Sequence, residues 1–143
     1  IKASVNAPPF ELEMYTGESK FKLADNKGKV ILLTFWFPGC GPCRAEMPHF
    51  ENVLEKIDRK NFVFIGVNTA RDQDDYVIPF VKNNKVTFTP LKGTREILSD
   101  YKIRVNPTNF LIDKEGRIAY SNFLIGSTNE RMLELMINTL LSE

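Results

Sequence analysis

The chain has 143 residues, 43% of them hydrophobic and 11 of them Phe, enough to bury one core without metal or disulfide staples. Its 19 Lys and Arg balance 18 Asp and Glu, which gives no electrostatic ground for a nucleic-acid or membrane-surface partner. The longest apolar run, Val30 to Phe37, is far short of the roughly 20 residues of a membrane span, so this segment is not expected to insert into a bilayer. The chain starts at Ile1 with neither an initiator Met nor a signal-like stretch. The native N-terminus, with any targeting segment or anchor, is expected to lie upstream.

In chain order, Phe10 to Tyr15 and Lys20 to Leu23 alternate apolar and polar residues around Thr16-Gly17-Glu18-Ser19, which predicts a β-hairpin. After a loop at Asp25 to Gly28, the run Val30 to Trp36 predicts a central strand buried on both faces. A helix is expected from about Cys40 to Arg59, because Phe50, Val53, Leu54 and Ile57 share one face. Phe62 to Asn68 is the next apolar strand, and strand, helix and strand in that order make a right-handed parallel crossover. A second helix follows at about Asp74 to Asn83, with Pro79 an irregularity in it. Val86 to Phe88 reads as a short strand and Thr94 to Tyr101 as a short helix. Thr108 to Asp113 and Arg117 to Ser121 form a hairpin about Lys114-Glu115-Gly116. Ser127 and Glu130 have capping-box spacing ahead of a last helix with Leu133, Met136, Ile137, Leu140 and Leu141 on its apolar face.

There are two cysteines, in Trp36-Phe37-Pro38-Gly39-Cys40-Gly41-Pro42-Cys43, where the first central strand ends and its helix begins. Residues three apart on a helix lie about 5–6 Å apart, within the Cα separation of a disulfide. Gly41 eases entry into the turn, and Pro42 is tolerated where N–H groups have no helical partner. The helix start also stabilises an anion, which lowers a cysteine pKa. Cys40, at the tip, is therefore expected to be exposed and to attack as the thiolate. Cys43, one turn in, is the resolving thiol. A zinc site would need four ligands, and His49 is the only histidine. No metal or organic cofactor is expected, only the Cys40–Cys43 pair.

These residues resemble a known family. Phe35-Trp36, Cys-Gly-Pro-Cys, Arg44-Ala45-Glu46-Met47-Pro48, Pro8-Pro9-Phe10, Gly28-Lys29, Pro107-Thr108 and Ile112-Asp113 with Gly116 are similar to the TlpA/ResA-like thioredoxins. The resemblance implies an α/β thioredoxin fold in one domain over residues 1–143, with an N-terminal hairpin extension (1–29) and an internal α/β insertion (71–104). It implies a thiol–disulfide oxidoreductase that reduces extracytoplasmic partner proteins, often beside cytochrome c maturation, from the periplasm or a membrane anchor. The partners would be disulfide-containing proteins and an electron donor such as a membrane thiol reductase, with the chain itself a monomer. It further implies a cis bond before Pro107, an Asn106 backbone offered for pairing with a substrate strand, and a Glu46 carboxylate that exchanges protons with the resolving sulfur. Trp36, Gly41, Pro42, Asn106 and Pro107 are the candidate substrate-binding residues, although Trp36 reads more as core packing than as a redox participant, and Glu46 reads equally as an acid favoured near a helix start. Pro48 is expected to kink the helix and His49 to be solvated.

Two positions depart from the family. Gly39 stands where relatives carry Trp, and Thr34 where thioredoxins carry a buried Asp. Two other functions compete. A peroxiredoxin-type thiol peroxidase needs Thr or Ser three residues before its cysteine and Pro four before that, where this chain has Phe37 and Leu33. A non-catalytic binding module of this fold generally lacks one or both cysteines, and this chain keeps both.

Overall fold

The computed structural model describes residues 5–143. At its N-terminal end β1 (Val5–Asn6) pairs antiparallel with a late strand, a contact that sequence reading did not anticipate, so the first 29 residues supply more than a hairpin. β2 (Glu11–Glu13) and β3 (Lys20–Lys22) form the expected hairpin, with Leu12 opposite Phe21. A 3-10 turn at Leu23–Asn26 leads into β4 (Val30–Trp36), buried at every residue as a strand covered on both faces must be.

Helix α1 (Gly41–Leu54) ends earlier than its apolar stripe suggests. Bonds from Lys56 N–H to Val53 O and from Ile57 N–H to Leu54 O tighten the chain into a turn, which still buries Ile57. β5 (Phe62–Asn68) then returns parallel to β4, with Trp36 beside Asn68. The next helical stretch is two pieces, a 3-10 turn at Arg71–Tyr76 and α2 (Val77–Asn83). Pro79 falls in the first turn of α2, where its missing N–H costs nothing.

Val86 to Phe88 is not a strand. Lys85 is left-handed (φ 53°), and the Glu51 carboxylate of α1 takes the Thr87 N–H at 2.9 Å. The Phe88 ring lies over Gly66, where a Cβ would meet it at 2.8 Å. Pairing resumes one residue later in β6 (Thr89–Lys92), parallel to β5. β6 is a sheet edge, which tolerates Pro90, and Tyr15 N–H bonds the Pro90 carbonyl at 3.2 Å to seat the hairpin there.

α3 (Arg95–Asp100) is capped by the Thr94 hydroxyl, which accepts from Ile97 N–H. β7 (Thr108–Ile112) and β8 (Arg117–Ser121) form the expected hairpin. The last helix is α4 (Glu130–Leu141), with Leu133, Ile137 and Leu140 buried. The Ser127–Glu130 capping box does not form: Asn129 is the N-cap, and Glu130 turns to His49 instead.

The main sheet has the order β1-β8-β7-β4-β5-β6. One core packs α1, α2 and α4 against Leu32, Trp36 and Leu111; a second packs α3 and the hairpin against Ile31, Leu33 and Phe35. Alternate residues of β4 thus point into different cores, as a pleated strand requires.

Candidate active site

Four residues separate the end of β4 from the start of α1, and the last of them, Cys40, is the N-cap. Cys40 Sγ accepts from Cys43 N–H at 3.2 Å, so the sulfur occupies the place that a Ser or Asp oxygen takes at other helix starts. The two cysteines are joined, with Cα atoms 5.3 Å apart. The same N–H and the helix dipole would hold negative charge on Cys40 once the bond is reduced. Both cysteines are buried, Cys40 at 4% exposure and Cys43 at 2%, so the expectation of an open Cys40 is corrected. The exposed part of the motif is Gly41 and Pro42. Pro48 lies within α1 without ending it.

Trp36 is fully buried between Phe80 and Phe88, at ring separations of 5.3 and 5.1 Å. It contributes no surface to a substrate, which corrects its place among the candidate binding residues. The Asn106–Pro107 bond is cis. β7 and β4 run antiparallel with Thr108 opposite Phe35, which sets Pro107 across from Trp36 at the end of the sheet where the cysteines lie. Pro107 is buried and Asn106 half-buried.

Glu46 is 5% exposed and is not a solvated helix-end acid. Asn109 Nδ2 donates to both its oxygens, at 3.0 and 3.1 Å, and Ile125 N–H donates at 2.7 Å. Burial pushes the Glu46 carboxyl above its ordinary value, and these donors only partly offset it. Asn109, itself fully buried, also donates to Phe123 O at 2.9 Å and stands opposite Thr34 on β4. Position 34 thus carries no acid, and the buried carboxylate of this region comes from α1.

Sequence reading missed Asn109 and Ile125, which are 63 and 79 residues from Glu46 and carry no motif. It also missed Gln73, whose Oε1 accepts from Gly39 N–H at 2.8 Å beside Cys40. His49 is half-buried rather than solvated: its Nδ1 lies 2.6 Å from Glu130 Oε2, tying α1 to α4. That bond, with one from Asn52, holds the Glu130 carboxyl below its usual range. Among the described residues no cluster of His, Cys, Asp and Glu is placed to hold a metal ion, and no helix is long and apolar enough to cross a membrane.

The AhpC/TSA family model matches residues 4–121. The chain belongs to this family. It is 33% identical over 135 residues to the thioredoxin-like protein YneN of Bacillus subtilis, covering 94% of this chain and 78% of that one. It is 31% identical over 139 residues to the thiol-disulfide oxidoreductase ResA of the same organism, covering 96% and 75%. Among solved structures, a Chlorobium tepidum protein assigned as the thiol:disulfide interchange protein DsbE superposes with a TM-score of 0.83 at 29% identity, covering 96% of each chain. With the Cys40–Cys43 pair at the start of α1, this makes the chain a thioredoxin-fold thiol–disulfide oxidoreductase.

Proposed function

We propose that the chain works as a dithiol reductant of protein disulfides outside the cytoplasm. The observation that carries the reading is Cys40 as the N-cap of α1, its sulfur against the Cys43 N–H. The reduced Cys40 thiolate attacks one sulfur of the partner's disulfide, forming a mixed disulfide and releasing the partner's other sulfur as a thiolate. Cys43 then loses its proton and attacks Cys40 Sγ, which frees the partner's second thiolate and closes the Cys40–Cys43 bond. Two electrons pass to the partner, and a membrane thiol reductase would return them.

Glu46 lies three residues beyond Cys43 on the same helix, on the face they share. A carboxyl whose pKa burial has raised is suited to take the Cys43 proton as the resolving attack begins. The Asn106 backbone and Pro107, with Gly41 and Pro42, form the surface offered to the partner strand. Gly41-Pro42 brings no positive side chain between the cysteines, so the thiolate has no more help than the helix start gives. That favours a reduction potential near thioredoxin's, about −270 mV, over that of a strong oxidant. The resemblance to ResA-like proteins supports an extracytoplasmic, membrane-anchored setting and extends the reading to cytochrome c maturation. Chain monomers would suffice, since both sulfurs and Glu46 come from one helix.

Trapping tests the roles directly. Cys43→Ser is expected to accumulate mixed disulfides with a protein substrate through Cys40, and Cys40→Ser is expected to accumulate none. The opposite pattern would reverse the roles. A pair that stays largely reduced in a glutathione buffer poised near −180 mV, about that of the endoplasmic reticulum lumen, would replace the reductant reading with an oxidant one.

A further inference from the structure

A cleft of about 640 Å³ opens beside the cysteines on the side away from Pro107, between the start of α1 and the 71–84 segment. Its wall nearest the chemistry is Gly39, the residue before Cys40. The Gln73 side chain occupies the space over Gly39: its amide oxygen takes the Gly39 N–H, and a Cβ on Gly39 would meet that oxygen at 3.1 Å. Gln73 reaches it because the 3-10 turn is kinked there (φ −104°, ψ 16°). A side chain at position 39 would have to displace Gln73, and glycine lets Gln73 form this edge of the cleft.

The opposite wall is aromatic. Tyr76 is 66% exposed, and Phe80 lies deeper, against Trp36. Among the described residues, the charged ones on the lining are Arg44 and Asp72, of opposite sign, and the Arg44 guanidinium is already seated over the Phe80 ring at 5.5 Å. The cleft therefore has an apolar wall and no net charge, and it borders Gly39, the residue before the buried Cys40.

We propose that this cleft receives an uncharged apolar or aromatic side chain adjoining the partner's cysteine, so that Tyr76 and Phe80 select among protein disulfides. This rests on the reductase reading above. A partner sulfur bonded to Cys40 must place its neighbouring residues against Gly39, so the cleft continues the mixed-disulfide contact. A good apolar pocket discriminates by roughly 10–200-fold between side chains that fill it and those that do not.

The test uses the reduced chain in excess and symmetric disulfides of short peptides, which flank each cysteine with Phe and Leu, with Gly, or with Glu. Hydroxyethyl disulfide is the reference without flanking residues. Each peptide disulfide yields two peptide thiols as Cys40–Cys43 closes, and chromatography follows their release. The Phe and Leu peptide is expected to react about ten-fold faster than the Gly and Glu peptides. Tyr76→Ala should bring that ratio to within about three-fold of unity, while Leu135→Ala, exposed on α4, keeps it. Equal rates for the three peptides with the wild-type chain, or a ratio that survives Tyr76→Ala, would overturn the cleft proposal while hydroxyethyl disulfide is still reduced. Failure to reduce even hydroxyethyl disulfide would remove the reductase reading, and this proposal with it.

Discussion

Near the C-terminal ends of β4 and β5 two carboxylates sit in polar clusters and are held in opposite ways. Glu46 is buried against neutral donors from Asn109 and Ile125, with no Arg or Lys among the described residues bonded to it, and its pKa is raised. Asp74 is more open and bonds Tyr15 OH at 2.5 Å and Arg71 Nε at 3.0 Å. Burial works to raise Asp74, and these bonds outweigh it, so its pKa is lowered. An acid with a cation and a phenol beside it stays charged and ties elements together. An acid buried among neutral donors keeps its proton to higher pH, which moves its titration toward that of a thiol.

The largest test of this contrast is Glu46→Gln. Proton transfer by a placed side chain is worth about a hundred-fold or more, so disulfide exchange should slow by that order and lose one limb of its pH profile. Stability should respond as well. Between the ordinary carboxyl value and the raised one, folded Glu46 holds a proton that the unfolded chain has released. Its contribution is full below the ordinary value and declines as pH rises through the raised one. Gln has one acceptor oxygen for the three N–H···O contacts made to Glu46, a loss of about 1–3 kcal/mol. The deficit of Glu46→Gln in urea melts should be largest in acid and narrow as pH rises. An unchanged exchange profile would reduce Glu46 to a structural acid.

Asp74→Asn is the converse. Asp74 contributes stability that is present above the ordinary carboxyl value and lost as pH falls through its lowered one. The substitution should cost about 1 kcal/mol at neutral pH, discounted for the solvent around it. The difference from wild type should vanish in acid, with the pH profile of exchange unmoved. A shifted exchange profile would show that the two clusters are not independent.

The contrast also shows what could be read from the sequence. The β4 run, the Cys-Gly-Pro-Cys motif at the start of α1, β5 and the β7–β8 hairpin all follow from local periodicity and spacing, and each lies where expected. What was not legible depends on residues far apart in the chain. Glu46 could be placed one turn past Cys43, but its burial comes from Asn109 and from the loop carrying Ile125. Ser127 and Glu130 have capping spacing, yet the pull of His49 on Glu130 comes from another helix. β6 begins three residues past the expected start at Val86 because Glu51 takes the Thr87 N–H, and nothing local to Val86–Phe88 shows that. Asp74 looked like the start of a helix, and its role depends on Tyr15, 59 residues earlier.

The smallest effect expected is that of Tyr15→Phe, which probes the tie between the hairpin and the 71–76 turn. Burial first, and then the bond to Asp74, push the Tyr15 phenol up to about 12, so it remains a protonated donor across the working range. Its oxygen also accepts from Asn68 Nδ2 at 2.9 Å. Without it, Asn68 still donates to Ala70 O at 3.0 Å, and Asp74 keeps both contacts to Arg71. The hairpin keeps the Tyr15 N–H bond to Pro90 and the Met14–Leu91 bridge. The loss should therefore be about 0.5–1 kcal/mol, the lower part of the range for one hydrogen bond. Asp74 also loses a donor that lowers its pKa, so the acid limb of the stability curve should move to higher pH, by less than Asp74→Asn removes. Urea melts across the acid range read both effects, and disulfide exchange measured on the same samples should be unchanged. A ten-fold fall in exchange would show that this cluster reaches the cysteines, and the division between a proton-carrying and a tying carboxylate would fail.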